Sequence, residues 1–144
     1  MNTIREATES DTAVLARLAG ELGYATTEPE MLRRLTELQR SENDTVMVAV
    51  QSGNVVAWIH LSRIPSMEGD PFAEIRGFVV TESQRGTGVG TELVSAAEAW
   101  ARERGCRKIR VRSNVVRAET RRFYENRGFA VTKTQNVFDK RLPA

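Results

Sequence analysis

With 144 residues, 40% of them hydrophobic, the chain has material for one domain with a real core, residues 1–144, and is too short for two. Its single cysteine, Cys106, rules out an internal disulfide. With no charged-then-apolar leader and no apolar run near about eighteen residues, the expected location is cytoplasmic, with no membrane partner. The net charge of +2 hides a split, since residues 1–100 carry −7, residues 101–127 carry +7 and the tail +2. The basic segment lacks the aromatic interleaving, helix-turn-helix, zinc or RNP pattern that would present it to nucleic acid.

Residues 3–7 read as a short strand. Ser10 and Asp11 then stand as N-cap and first-turn acid of a helix in which Val14, Leu15, Leu18, Ala19 and Leu22 form one stripe, and Gly23 stops it. Thr27-Glu28-Pro29-Glu30 is a capping box with proline in the first turn, opening a second amphipathic helix through Met31, Leu32, Leu35 and Leu38. Residues 45–51 and 55–64 alternate as strands around Ser52-Gly53-Asn54, a hairpin-type turn, and should pair antiparallel. His60, the only histidine, lies in the second of these and is read as structural before it is read as a base. Residues 65–71 (PSMEGDP) form a loop by composition. Residues 72–80 follow as an apolar, β-branched strand in which Gly77 marks a plausible bulge.

That strand runs into residues 84–91, QRGTGVGT, and Val89, Leu93, Ala97, Trp100 and Ala101 then recur at helical spacing. A strand, a glycine turn and a helix start therefore meet. Unpaired N–H groups at a helix N-terminus carry the positive end of the dipole, and glycines let an anion approach them, so a pyrophosphate cradle is expected. A dinucleotide fingerprint would want glycine where Thr91 stands, and a Walker loop would want G-K-[ST]. After Gly105, residues 107–113 (RKIRVRS) alternate as a strand with Ile109 and Val111 on one face and Lys108, Arg110 and Arg112 on the other. Cys106, with no histidine adjacent, is a buried hydrophobe rather than a nucleophile. Residues 117–129 (RAETRRFYENRGF) hold a short helix, and residues 130–132 and 134–140 read as two closing strands.

Arg85-x-x-Gly88-x-Gly90 resembles the coenzyme A loop of the GNAT superfamily, the acyl-CoA-dependent N-acetyltransferases. Phe123-Tyr124, three residues, then Gly128-Phe129 resembles the end of that family's coenzyme A site. The resemblance implies an α/β fold with a mixed, mostly antiparallel sheet of six or seven strands and about four helices, and splayed fourth and fifth strands that admit the pantetheine. It implies acetyl-CoA as cosubstrate and an amine-bearing acceptor, with homodimer formation left open. Backbone groups of Phe78, Val79 and Val80 would bond the pantetheine and the thioester oxygen. Arg85, Gly86, Thr87, Gly88, Val89, Gly90 and Thr91 would hold the phosphates. Tyr124 would protonate the departing thiolate, and Glu74, four residues before Phe78, is the candidate base. Relatives carry asparagine seven residues before the tyrosine, where this chain has Arg117; arginine there could reach a phosphate, and Asn114 is a weaker candidate for the asparagine's role. Glu21, Tyr24 and Glu28, around the Gly23 turn, are the expected acceptor contacts. The alternative is a non-catalytic acyl-CoA-binding sensor or interaction domain of the same fold, with a nucleotide-binding module third.

Overall fold

In a computed structural model, residues 2–113 and 118–144 are described. Contacts divide the chain into two compact units, Met1–Arg112 and Ser113–Ala144. The first holds five strands and three helices in the order β1 (Thr3–Glu6), α1 (Thr12–Glu21), α2 (Glu28–Gln39), β2 (Asp44–Gln51), β3 (Asn54–Ile64), β4 (Phe72–Val80), α3 (Val89–Glu103) and β5 (Ile109–Val111). The second holds α4 (Ala118–Glu125).

The strands form one sheet in sequence order. The first three pairings are antiparallel, and β4 and β5 run parallel. Local chemistry sets the helix starts: Thr27 accepts from the Glu30 N–H at 3.3 Å while the Glu30 carboxylate accepts from the Thr27 N–H at 3.1 Å, the reciprocal box expected of that sequence. On one face of the sheet Val46, Val48 and Val50 of β2 and Trp58 of β3 pack against Leu15 of α1 and Met31 and Leu35 of α2. By alternation Ala57, Ile59 and Leu61 point to the opposite face, where α3 packs with Val89, Leu93, Val94, Ala97 and Trp100 buried. The Val, Leu and Ile side chains among these each contribute about 1.5–3 kcal/mol on leaving water.

One departure from regularity matters for function. The β3–β4 register shifts between His60 and Leu61, which face Gly77 and Ile75, so Arg76 is an extra residue and β4 bulges beside Gly77. Among the described residues, β4 pairs with β5 over Ala73–Ile75, just before the bulge.

Among the described residues the sheet has five strands where six or seven were expected. Residues 130–132 and 134–140 form no strand, and β5 is limited to three residues. Strand-like composition supplies no hydrogen bonds by itself: a strand exists only where a neighbour offers its edge. Here Val137 and Phe138 are 82% and 90% exposed.

Candidate active site

Beyond β4 the chain makes a 3-10 turn over Glu82–Gln84 and an exposed turn through residues 85–88 before α3. Gly86 and Gly88 both have positive φ, +80° and +96°, and Gly88 is the N-cap of α3. A Cβ on either would meet nothing within 4 Å, so the glycines face open space. Thr87 closes the turn by donating its hydroxyl to the Gln84 carbonyl at 2.6 Å, and Arg85 donates through Nε to the Val80 carbonyl at 3.1 Å, leaving the rest of its five-donor fork for an anion. Val89 and Gly90 begin α3 as buried residues that anchor the turn on the core, with Thr91 in the same first turn. An open, left-handed glycine turn on a helix N-terminus, with an arginine at its rim, fits a pyrophosphate. Phe78, Val79 and Val80 form the end of β4 that leads into this turn.

Glu74 shares a sheet face with Ser62, its register partner, and is 5% exposed. Arg76 Nη1 donates to Oε2 at 2.9 Å and Arg112 Nε to Oε1 at 3.0 Å, so each oxygen holds a guanidinium. The two arginines are themselves about half exposed. Neither was singled out from sequence as a site residue; Arg112 stood in the alternating basic run, but nothing local indicates that it reaches a carboxylate 38 positions away.

Glu21 and Glu28 are placed differently. The Glu21 carboxylate accepts from the Thr81 hydroxyl at 3.0 Å and from the Glu82 N–H at 2.9 Å, and the bond from that N–H is the main cause holding its carboxyl below the usual range. Glu28 is exposed in the first turn of α2, and Tyr24 is 71% exposed in the connecting loop.

In the second unit Tyr124 is the buried residue of α4. It packs edge-on against Phe123 and Phe129, with ring centroids 5.2 and 5.3 Å away. Burial pushes its phenol up to about 12, so it is protonated across the physiological range. Asn114 and Arg117 lie outside the described residues.

His60 and Cys106 have structural surroundings. Asp44 accepts from His60 Nε2 at 2.9 Å, from the Ser62 hydroxyl and from the Ser41 hydroxyl at 2.7 Å. Burial would raise the Asp44 carboxyl, but these three bonds outweigh it and hold it below its usual value. Cys106 is a free, buried thiol whose N–H bonds the Ala101 carbonyl at the end of α3.

Residues 12–129 match the family model described as the acetyltransferase (GNAT) family. The chain belongs to that family. It is an acyl-CoA-dependent N-acetyltransferase with acetyl-CoA as its cosubstrate. Among similar proteins is an aminoglycoside N(6')-acetyltransferase type 1 of Stenotrophomonas maltophilia, 29% identical over 146 residues, covering 98% of this chain and 93% of the relative. An aminoalkylphosphonate N-acetyltransferase of Salmonella typhimurium is 27% identical over 132 residues, covering 88% and 83%. A crystal structure of a Bacillus halodurans protein described as a transcriptional regulator superposes with a TM-score of 0.86 at 28% identity, covering 97% of this chain and 100% of that one. No described helix of the acetyltransferase is long and apolar enough to cross a membrane.

Proposed function

We propose that this acetyltransferase moves the acetyl group directly to a primary amine of a small polycationic acceptor, an aminoglycoside, polyamine or lysine-like amine, in the cytoplasm. The observation that carries the acetyl-CoA half is the open glycine turn at the α3 N-terminus, into which β4 leads. The acceptor half is supported by the −7 charge of residues 1–100 and by the likeness to an aminoglycoside-acetylating relative.

Acetyl-CoA supplies a thioester carbonyl that a neutral amine can attack. An alkyl amine has a pKa near 10.4, so about one in 10³ is neutral at pH 7, and a base must take its proton. Glu74 is the nominee. With both oxygens held by guanidinium groups, it acts through a water or after Arg76, whose own side chain is about half exposed, swings aside. An N–H near Val80 holds the developing oxyanion. Tyr124 donates to the departing sulfur. A thiol has a pKa near 8.5 and this phenol sits at about 12, so the tyrosine contributes a hydrogen bond to the thiolate more readily than a completed proton transfer. Direct transfer suits the site because Cys106 is buried at the far end of α3 from the glycine turn.

A second reading is favoured by one observation: two guanidinium groups, those of Arg76 and Arg112, stand on the Glu74 carboxylate. That suits an amine carrying a carboxylate or phosphonate, and only charges lining the pocket act undiminished, since screening removes the others beyond roughly 8 Å. Thiol release from acetyl-CoA with a panel of tobramycin, spermidine, lysine, glycine and aminomethylphosphonate separates the readings. Turnover highest on the first three supports the cationic acceptor, highest on the last two the anionic one. No turnover on any amine, with coenzyme A still bound, would leave a binding domain.

A further inference from the structure

We infer that Glu21 is a positioning residue for the acetyl-CoA loop, tying the root of that loop to the root of the loop expected over the acceptor. The inference rests on the acetyl-CoA reading of the glycine turn. Glu21 is the last residue of α1, and Gly23-Tyr24 follow at once. Far along the chain, β4 ends at Val80 and the 3-10 turn Glu82–Gln84 carries the chain to Arg85 and the two open glycines.

A helical turn needs its first N–H groups satisfied, and the N-cap side chain commonly does this. Thr81 stands at that N-cap but makes no side-chain cap bond. Its hydroxyl donates to Glu21 Oε2 at 3.0 Å instead, and the Glu82 N–H that opens the turn is accepted by Glu21 Oε1 at 2.9 Å. Both carboxylate oxygens are thus spent on two consecutive residues of the turn. The rest of the turn hangs from the same place, with Gln84 N–H on the Thr81 carbonyl at 2.9 Å and Arg85 N–H on the Glu82 carbonyl at 3.3 Å. Thr81 is itself pinned to the sheet through its N–H on the Val56 carbonyl at 2.8 Å. Arg17, one turn back on α1, approaches the Glu21 carboxylate at 3.7 Å and leaves it aimed at the turn. An acid capping the turn from a neighbouring helix fixes where Arg85, Gly86 and Gly88 stand before any phosphate arrives.

The test is titration calorimetry with coenzyme A, which needs no acceptor and no turnover, beside steady-state kinetics at saturating acetyl-CoA. Glu21→Ala should weaken coenzyme A about tenfold, the equivalent of one hydrogen bond to a charged group, with acceptor KM within about twofold of wild type. Glu21→Gln keeps a carbonyl oxygen for the Glu82 N–H and should recover most of the affinity. Thr81→Val removes only the hydroxyl bond and should cost about threefold, so the inference stays testable if the alanine variant folds poorly. Unchanged coenzyme A affinity in the alanine and valine variants, or in the valine variant alone where the alanine one does not fold, would overturn it, and an acceptor KM raised in the glutamine variant would then make Glu21 an acceptor contact. Failure of the wild-type protein to bind coenzyme A would instead overturn the acetyl-CoA reading.

Discussion

Gly77 is the position where a single methyl group should be felt both in stability and in turnover. A Cβ built there would lie 2.9 Å from Cζ3 and 3.1 Å from Cη2 of Trp58, closer than carbon atoms approach without something moving. The obstacle is an indole packed with Val46, Val48 and Val50 under α1 and α2, not the loose end of a flexible chain. Overpacking of this kind costs about 1–3 kcal/mol. Taking about 2 kcal/mol, and roughly 3 °C per kcal/mol for a chain of this length, Gly77→Ala should lower Tm by about 6 °C. Trimming the ring should relieve the clash, so in urea denaturation the Gly77→Ala and Trp58→Leu pair should be less destabilising than the sum of the singles by at least about 1 kcal/mol. Because Gly77 directly precedes Phe78–Val80 on β4, the same displacement moves them, and kcat should fall as well. Additivity of the two substitutions within about 0.3 kcal/mol would show that the ring is not what the new methyl group meets.

Saturating acetyl-CoA at a hundredfold excess over Kd should stabilise the fold by about 2.7 kcal/mol; Gly88→Val, at φ +96° and facing open space, should lower the Tm of the free protein through backbone strain and also erase most of that ligand-dependent rise, and a full rise would remove the turn as the phosphate site. Glu74→Gln should cost about 10²-fold in rate near pH 7 and less as pH approaches the acceptor's own pKa, since free amine then needs no base; an equal loss at every pH would end its role as base. Tyr124→Phe should slow transfer while leaving coenzyme A affinity within about threefold. Since burial holds this phenol near 12, the wild-type rate should show no loss from its ionisation below about pH 11, and an alkaline limb near pH 10 that disappears in the phenylalanine variant would contradict that.

What the sequence revealed and what it hid divide by the range of the interaction concerned. The Thr27 and Glu30 box, the glycine turn ahead of α3 and the stripe Val89, Leu93, Ala97, Trp100 are legible because each is decided within one or two turns of chain. Gly77 could be read as a bulge because a glycine inside an otherwise β-branched run has few other uses. The partners of Glu74 and Glu21 were not legible: a carboxylate does not announce which guanidinium or N–H it will meet 38 or 61 residues away. The closing strands were over-read for the same reason in reverse. TQNVFDK carries strand composition, but composition cannot supply an edge to pair with, and those residues form no strand.

The bulge also fixes what a change of chain length would do. Odd-numbered Gly77 and Val79 lie on the face under α1, whereas odd-numbered Ala73 and Ile75 lie on the face under α3, so Arg76 inverts the parity of the strand. Were all nine residues of β4 paired regularly, Glu74 would be turned into the apolar layer beneath α3, and Ile75 toward Ser62. Removing Arg76 instead leaves every remaining side chain on its own face, straightens the backbone and takes one guanidinium from the Glu74 carboxylate. The core is therefore indifferent to that one residue of length, and it can be lost or kept according to what the site alone requires.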